Sequence, residues 1–587
     1  MATRRTSGGA SQGRSVALVE PRRRVTAVGI VVAIVLSLFA GRLLQLKGLE
    51  ASAYAATAAA ERTRTVTIPA TRGAITDVNG VPLATTVDAV NITADQTQVA
   101  DPLSVAAALA PVVGIDMDVL RKRLTGAHNF AYIAQDVSPA VWTRVQALHL
   151  PGIYSEPTAK RVYPQGALAA AVLGFVGSDG HGLGGYESSY DRTLAGVDGQ
   201  LTYQEAAGGS QIPAASSEGE QVTPGSDVRL TINRDLQFIA ERAIRSKVKY
   251  AGADSGTVVV MDPRTGQILA LATYPSFNPA NVTAAPTADR GNRAVSDIYE
   301  PGSTAKVMTM AAALDAGVIR PGSRFVVPPT LSRGGATFHD DIAHGTWHLT
   351  ATGVLARSSN LGAMLIGERL GRQRLYDYLK RFGVGQPSGL GFPGESPGIL
   401  PPVAGWGPTN FASISFGQGL SLNAIQATSV FATIANNGVR VEPSLVDGTV
   451  APDGTFSPAP APVQHRVVSA QTAKTLSKMM ETVVSDQGTA PMAEIPGYRV
   501  AGKTGTAQRV DDSCGCYRGY TASFIGFAPA DHPALVASVV LQNPVNGHFG
   551  GVLGGPVFKR VMSFALQSQE IPPTKDNPPK MRLTFRP

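Results

Sequence analysis

One segment constrains this chain more than any other: an apolar run from Val25 to Gly41, broken only by Thr26 and Ser37 and preceded by Arg22-Arg23-Arg24. As a helix these residues span roughly 25 Å, and Leu43, Leu44 and Leu46 extend them towards the ~30 Å hydrocarbon core of a bilayer. Arg42 near the far end can snorkel to the interface. A cleaved signal peptide is the competing reading, helped by Ala51-Ser52-Ala53. The run is longer than the usual apolar region of such a peptide, and Arg42 and Lys47 separate it from that site. The expectation is an uncleaved anchor over 25–47, with residues 1–24 cytoplasmic by the positive-inside rule and everything after about 48 outside. No second run of 18 apolar residues occurs, so a single-pass protein of the cell membrane is expected.

Charge fits that topology better than it fits nucleic acid. The net charge of +8 and pI near 9.4 first suggest a polyanion partner. Residues 1–24, however, hold six arginines against one glutamate, and residues 568–587 hold four basic against two acidic residues. Together these termini account for +7, which leaves the long middle at +1 and excludes a nucleic-acid-binding footprint. Two cysteines, Cys514 and Cys516, suit an exported chain that does not depend on a disulfide framework. Their spacing permits a small disulfide or two free thiols, and no zinc or other metal site is expected.

At 587 residues the chain has room for several domains. Residues 48–225 read as turn-rich mixed structure: a β-prone Thr65–Ile68, an Asn-Gly hairpin signal at Asp77-Val78-Asn79-Gly80, and helical patterns around 102–125 and 138–148. Gly- and Ser-rich stretches at 177–185 and 207–218 predict long loops. From 226 the pattern changes. Val228–Ile232 reads as a strand and Arg234–Lys249 as an amphipathic helix. Gly256–Met261 and Ile268–Thr273 read as a hairpin. Tyr498–Val510, Tyr520–Phe527 and Ala534–Gln542 read as three late strands, and Pro556–Leu566 as a closing helix. The first and last strands are expected to be neighbours in one sheet. The Pro-rich 568–587 is expected to be an extended or flexible tail.

Three short motifs occur in order. Ser303-Thr304-Ala305-Lys306 follows the breaker Glu300-Pro301-Gly302, so Ser303 is placed at a helix N-terminus with Lys306 one turn on, on the same face. A desolvated lysine can take the proton of a serine hydroxyl and make it a nucleophile. An isolated Ser-x-x-Lys is more often a helix cap beside a solvated lysine, as at Ser246–Lys249. Ser358-Ser359-Asn360 falls between helical patterns at His348–Ala356 and Leu361–Leu370. A turn there can relay a proton and orient an acyl group, or simply cap a helix. Lys503-Thr504-Gly505-Thr506 lies in a strand pattern, where Gly505 permits close approach of a ligand or marks a bulge.

Taken together, these motifs resemble the penicillin-recognising serine enzymes, and among them the penicillin-binding transpeptidases. Asn292-Arg293-Ala294-Val295-Ser296-Asp297 and Ala522–Pro529 resemble the same domain. Arg72–Gly80, Arg161-Val162-Tyr163-Pro164 and Gly185-Tyr186-Glu187 resemble the pedestal of class B members, most closely the septal cell-division (FtsI) type; the elongation-type paralogue shares the motifs. The resemblance covers roughly residues 25–567. It implies an α/β penicillin-binding transpeptidase fold, an antiparallel sheet flanked by helices, over 226–567. An α+β pedestal or dimerisation-type domain over 48–225 and a single transmembrane helix complete the implied architecture.

By the same resemblance the substrate is the D-Ala-D-Ala end of a peptidoglycan stem peptide. Ser303 is the nucleophile, Lys306 its base, Ser358 a proton relay and Asn360 a positioner. Lys503, Thr504, Gly505 and Thr506 bind the terminal carboxylate and, through the Thr506 N–H, the oxyanion. No cofactor is implied. β-Lactams are implied inhibitors, and a membrane glycan polymerase and other division proteins are implied partners. Ser359 stands where class A β-lactamases carry Asp, and no deacylating Glu follows in a matching context, which argues against β-lactam hydrolysis. A D,D-carboxypeptidase, a β-lactamase and a non-catalytic division scaffold are the alternatives.

Overall fold

The computed structural model describes residues 21–49, 63–204, 218–511 and 513–587. Residues 1–20, Ala51-Ser52-Ala53 and most of the predicted 207–218 loop lie outside them. The apolar run forms α1 (Pro21–Leu44), and Val25 through Leu44 expose their side chains rather than pack on protein. Arg22–Lys47, whose most apolar 18-residue window has mean hydropathy 2.4, is long and apolar enough to cross a membrane.

By its contacts the chain divides into two units. In the first, Thr63–Ile68 pairs antiparallel with Gly199–Gln204, which pairs with Glu218–Glu220. The second comprises residues 70–197 and 223–587. Its N-terminal part centres on the long strand Pro82–Ala94, flanked by Ala131–Val137 and Ile153–Val162. Helices Pro102–Val113, Met117–Leu124 and Pro139–Gln146 cover a small core of Ile92, Leu109, Leu120, Leu124 and Ile133. The Asn-Gly turn forms as the sequence suggests: Asp77 Oδ1 accepts the Asn79 and Val81 N–H groups at 2.9 Å each, and Gly80 has φ +79°. Residues 177–185 do not form the long loop predicted for them. Gly177 N–H donates to His181 at 2.8 Å and Val176 bridges Gly182, giving a tight turn.

The three pedestal-like motifs meet at one buried ion cluster. Glu187, fully buried, accepts from Arg72 Nε and Arg161 Nε at 2.8 Å each, and Arg72 Nη1 reaches Asp191 at 2.7 Å. Gly73 and Gly185 let backbone run close by: a Cβ on Gly73 would lie 2.2 Å from the Ser226 carbonyl oxygen. These residues are far apart in sequence because they are one interior, held by paired charges that would be costly to bury singly.

The remainder is built around a five-stranded antiparallel sheet. In chain order its elements are α2 (Arg234–Ala251), β1 (Ser255–Met261), β2 (Ile268–Tyr274), α3 (Lys306–Asp315), α4 (Ala351–Ala356), α5 (Asn360–Leu370), α6 (Ala424–Ala435), α7 (Ala470–Val484), β3 (Ala501–Asp511), β4 (Cys516–Ala528), β5 (Leu535–Gln542) and α8 (Gly550–Ser568). Strand order is β2-β1-β5-β4-β3, so the first and last strands of this sheet are neighbours, with Val258 opposite Val539, whereas the earlier predicted strand, Asp227–Leu230, pairs instead with Val446–Val450 and Ile75–Thr76. The apolar runs of β1, β2 and β5 are buried on both faces. On one face Phe524 packs edge-on to Phe558 of α8 and Gly256 lies against Ile244 and Val248 of α2. On the other, Ser538 bonds Thr428 of α6 at 2.7 Å. Strand β3 is one edge, β2 the other.

Two further expectations need correction. The helix predicted from His348 begins only at Ala351, because Trp347–Thr350 is a strand paired with Arg324–Val327 and Thr350 caps α4, accepting from Gly353 N–H at 3.0 Å. The tail 568–587 is extended but not free. Thr574 N–H donates to Gly497 at 2.9 Å, and Leu583 accepts from Thr350 N–H at 2.9 Å, so backbone pairing pins it at both ends. The segment carrying Cys514 and Cys516 is a hairpin turn between β3 and β4, and of the two states their spacing permits the cysteines take the disulfide.

Candidate active site

Ser303 lies in a single 3-10 turn, Gly302–Ala305, that runs into α3. The turn is pressed onto edge strand β3. Gly302 has φ +51°, and a Cβ there would meet Ala507 Cβ at 2.9 Å; a Cβ on Gly505 would stand 2.3 Å from Ser523 Oγ and 3.1 Å from the Pro301 oxygen. Gly505 is thus required for close approach of the serine turn to the strand, and no bulge occurs at it. Gly417, missed in the sequence, completes the seat: Gly302 N–H donates to its carbonyl at 2.9 Å.

Lys306, on the first turn of α3 and fully buried, donates from Nζ to Ser303 Oγ at 2.9 Å, to Asn360 Oδ1 at 2.7 Å and to the Ser358 carbonyl. Lys503, also fully buried, donates to Ser358 Oγ at 2.8 Å and to the Thr504 carbonyl at 3.0 Å. The three motifs therefore converge, and Ser358 stands between the two lysines. Its backbone is left-handed, φ +59°, which is uncommon for a residue with a Cβ and turns its carbonyl and hydroxyl towards the ammonium groups. Burial lowers the Lys306 pKa to about 8, against the opposing pull of Asp341 and Asp340. Burial, and next the nearby Lys306 charge, hold Lys503 well below its ordinary value, with Asp341 again opposing.

Asp340 is an organiser that the sequence reading did not single out. Its carboxylate accepts from Ser359 Oγ at 2.7 Å, Leu361 N–H at 3.0 Å and Asn360 N–H, all at the start of α5, and from the His344 ring side at 3.0 Å. An anion at a helix N-terminus meets unpaired N–H groups and the positive end of the dipole. Asn360 Nδ2 donates to Asp341 at 3.2 Å, which leaves Oδ1 facing Lys306. The only clue in the sequence was an acidic pair, Asp340-Asp341, some twenty residues upstream.

A cleft of about 250 Å³ opens over Ser303, walled by Asn360, Phe338, Phe416, Thr506, Tyr520 and Phe549 among others. Thr506 lines it, whereas Thr504 is buried behind it, its hydroxyl 2.8 Å from that of Thr489. Just before the serine turn Glu300 accepts from Gly419 N–H at 2.8 Å and from Tyr517 on the β3–β4 hairpin at 3.3 Å. Among the described residues no group of three or more His, Cys, Asp or Glu side chains is placed to hold a metal ion.

Residues 256–563 match the penicillin binding protein transpeptidase domain, and residues 67–230 the penicillin-binding protein dimerisation domain. The chain is a penicillin-binding protein. This penicillin-binding protein is 37% identical to penicillin-binding protein PbpB of Mycobacterium tuberculosis, over 94% of the chain and 86% of that relative. It is 34% identical to peptidoglycan D,D-transpeptidase FtsI of Escherichia coli, over 86% and 85%. Its fold is similar to the crystal structure of penicillin binding protein 3 from M. tuberculosis complexed with aztreonam, with TM-score 0.71 and 34% identity, covering 89% of this chain and all of that one. A peptidoglycan synthetase from Bifidobacterium adolescentis is similar at TM-score 0.73 and 31% identity, over 89% and 100%.

Proposed function

We propose that this penicillin-binding protein is a serine-type peptidoglycan D,D-transpeptidase that cross-links stem peptides at the division septum and is inhibited by β-lactams. One observation carries the chemistry: a buried lysine whose charged form is disfavoured, 2.9 Å from a serine hydroxyl at the floor of an open cleft. Neutral Lys306 takes the Ser303 Oγ proton as the oxygen attacks the penultimate D-Ala carbonyl. N–H groups of Ser303 and Thr506 face the developing oxyanion, a contribution typically of a few kcal/mol per donor. The tetrahedral intermediate collapses, the C–N bond breaks, and the proton held on Lys306 reaches the departing D-Ala amine through Ser358. Asn360 orients the donor peptide, and Lys503 and Thr506, with Gly505 allowing the approach, take the terminal carboxylate, while Thr504, turned to Thr489 behind the cleft, supports the strand. The amine of a second stem peptide then attacks the acyl-enzyme, gives up its proton by the same relay, and frees Ser303.

We assign residues 1–24 to the cytoplasm, 25–47 to the membrane, and the pedestal (48–225) and transpeptidase (226–567) domains to the extracytoplasmic side. This reading is supported by the exposed apolar helix and the arginine cluster before it. The septal role is supported by likeness to FtsI and PbpB, and it implies a membrane glycan polymerase and other division proteins as partners. Labelling with a fluorescent penicillin tests the chemistry. A covalent band on the parent that is absent from Ser303→Ala is expected; equal labelling of both would refute the assignment.

A further inference from the structure

Residues 582–585 lie against the strand and helix that lead into the second motif. After α8 the chain is fixed first at Ile571, whose carbonyl accepts from Tyr498 OH at 2.7 Å, and at Thr574. Pro578 and Pro579 then keep it extended without demanding ladder partners. Arg582–Phe585 finally runs antiparallel to Trp347–Thr350, on the edge away from Arg324–Val327: Leu349 bridges Thr584, Thr350 N–H donates to Leu583 at 2.9 Å, and Phe585 N–H to His348 at 3.1 Å. The Phe585 ring packs edge-on to His348, with the Arg324 guanidinium 5.1 Å above it.

Two details join this strand to the active site. Thr350 is the N-cap of α4, and its hydroxyl both accepts from Gly353 N–H and donates to the Arg582 carbonyl at 2.6 Å. Gly353 itself sits inside α4, where glycine is disfavoured relative to alanine, and a Cβ there would lie 1.9 Å from the Leu583 carbonyl oxygen. The glycine is explained by the tail pressing on the helix. About 4.5 Å further along the axis, α4 ends at Ala356, and the strained Ser358 follows.

We propose that residues 581–587 form a positioning strap, which fixes the start of α4 and thereby holds Ser358 and Asn360 in register with Lys306 and Lys503. Loss of the strap lets the second motif relax and slows the covalent step, with little effect on how β-lactams dock in the cleft, whose walls do not include the tail. The proposal rests on acylation of Ser303, so the parent and Ser303→Ala are run beside the variants; absence of labelling in the parent would refute that reading, not this one.

The test compares the parent, a chain ending at Lys580, and Gly353→Ala, with acylation by a fluorescent penicillin followed by stopped flow and normalised to protein that melts cooperatively. Both variants are expected to lose about ten- to a hundredfold in the limiting acylation rate, with the pre-covalent dissociation constant changed less than about threefold. A synthetic peptide of residues 576–587 is expected to restore the truncated chain saturably and to leave Gly353→Ala slow, because the added methyl occupies its seat. Acylation within about twofold of the parent in either variant would overturn the proposal. So would a deficit in the truncated chain that tracks lost folded protein and is not rescued by the peptide.

Discussion

The ionisation of Lys306 gives the sharpest test of the chemistry. An ordinary lysine has a pKa near 10.5, and at pH 7 only about 0.03% of it is neutral. Burial brings Lys306 to about 8, which makes about 9% neutral at the same pH, roughly a 300-fold gain in competent base. If neutral Lys306 takes the Ser303 proton, the second-order acylation constant rises about tenfold per pH unit below pH 7, bends near 8 and is flat above 9. The assay is fluorescent-penicillin acylation between pH 5.5 and 9.5 at constant ionic strength. Asp341 opposes the shift, so Asp341→Asn moves the bend to lower pH. A bend near 10, or a rate independent of pH between 6 and 9, refutes the reasoning. The same depressed pKa has a stability consequence of known sign. The unfolded chain binds the extra proton between about 8 and 10.5, so the cost of burying Lys306, at most about 3 kcal/mol, is present in full below pH 8 and fades as pH rises through that window. The stability difference between parent and Lys306→Met should therefore change with pH there and be constant below it.

Other perturbations have equally definite outcomes. Glu187→Gln leaves Arg72 and Arg161 facing a neutral group in a dry interior and should destabilise the chain by about 3–5 kcal/mol in denaturant unfolding, while folded protein still labels at Ser303. Asp340→Asn weakens the cap of α5 and should cost about 1–2 kcal/mol by the same measurement, with slower acylation. Gly505→Ala drives a methyl to within 2.3 Å of Ser523 Oγ and parts the serine turn from β3, so acylation should fall at least about tenfold.

What could be read from the sequence, and what could not, follows one physical division. Features written in local pattern were legible: the β-branched runs of β1 and β5, the amphipathic α2, the apolar α1, the Asn-Gly turn, and the serine ahead of α3. Features created by a distant partner were not. Trp347–Thr350 looks helical until a strand at 324–327 and a tail more than two hundred residues away pair with its two edges. The proline-rich tail reads as free for the same reason. The motifs announced the lysines, but their burial and the bridging Ser358 come from packing between α3, α5 and β3. Asp340 acts through backbone N–H groups that carry no sequence signature, and Thr504 faces Thr489 rather than the cleft.

The most direct test of the central claim is a donor–acceptor experiment with the full chain. A stem pentapeptide ending in D-Ala-D-Ala is supplied with and without a second stem peptide bearing a free amine. Products are read by mass, and the trapped protein is digested to locate the acyl group. A cross-linking transpeptidase releases one D-Ala, carries the acyl group on Ser303 and yields a cross-linked product that depends on the amine. Only the trimmed tetrapeptide with amine present, or no acyl group on Ser303, would contradict the claim.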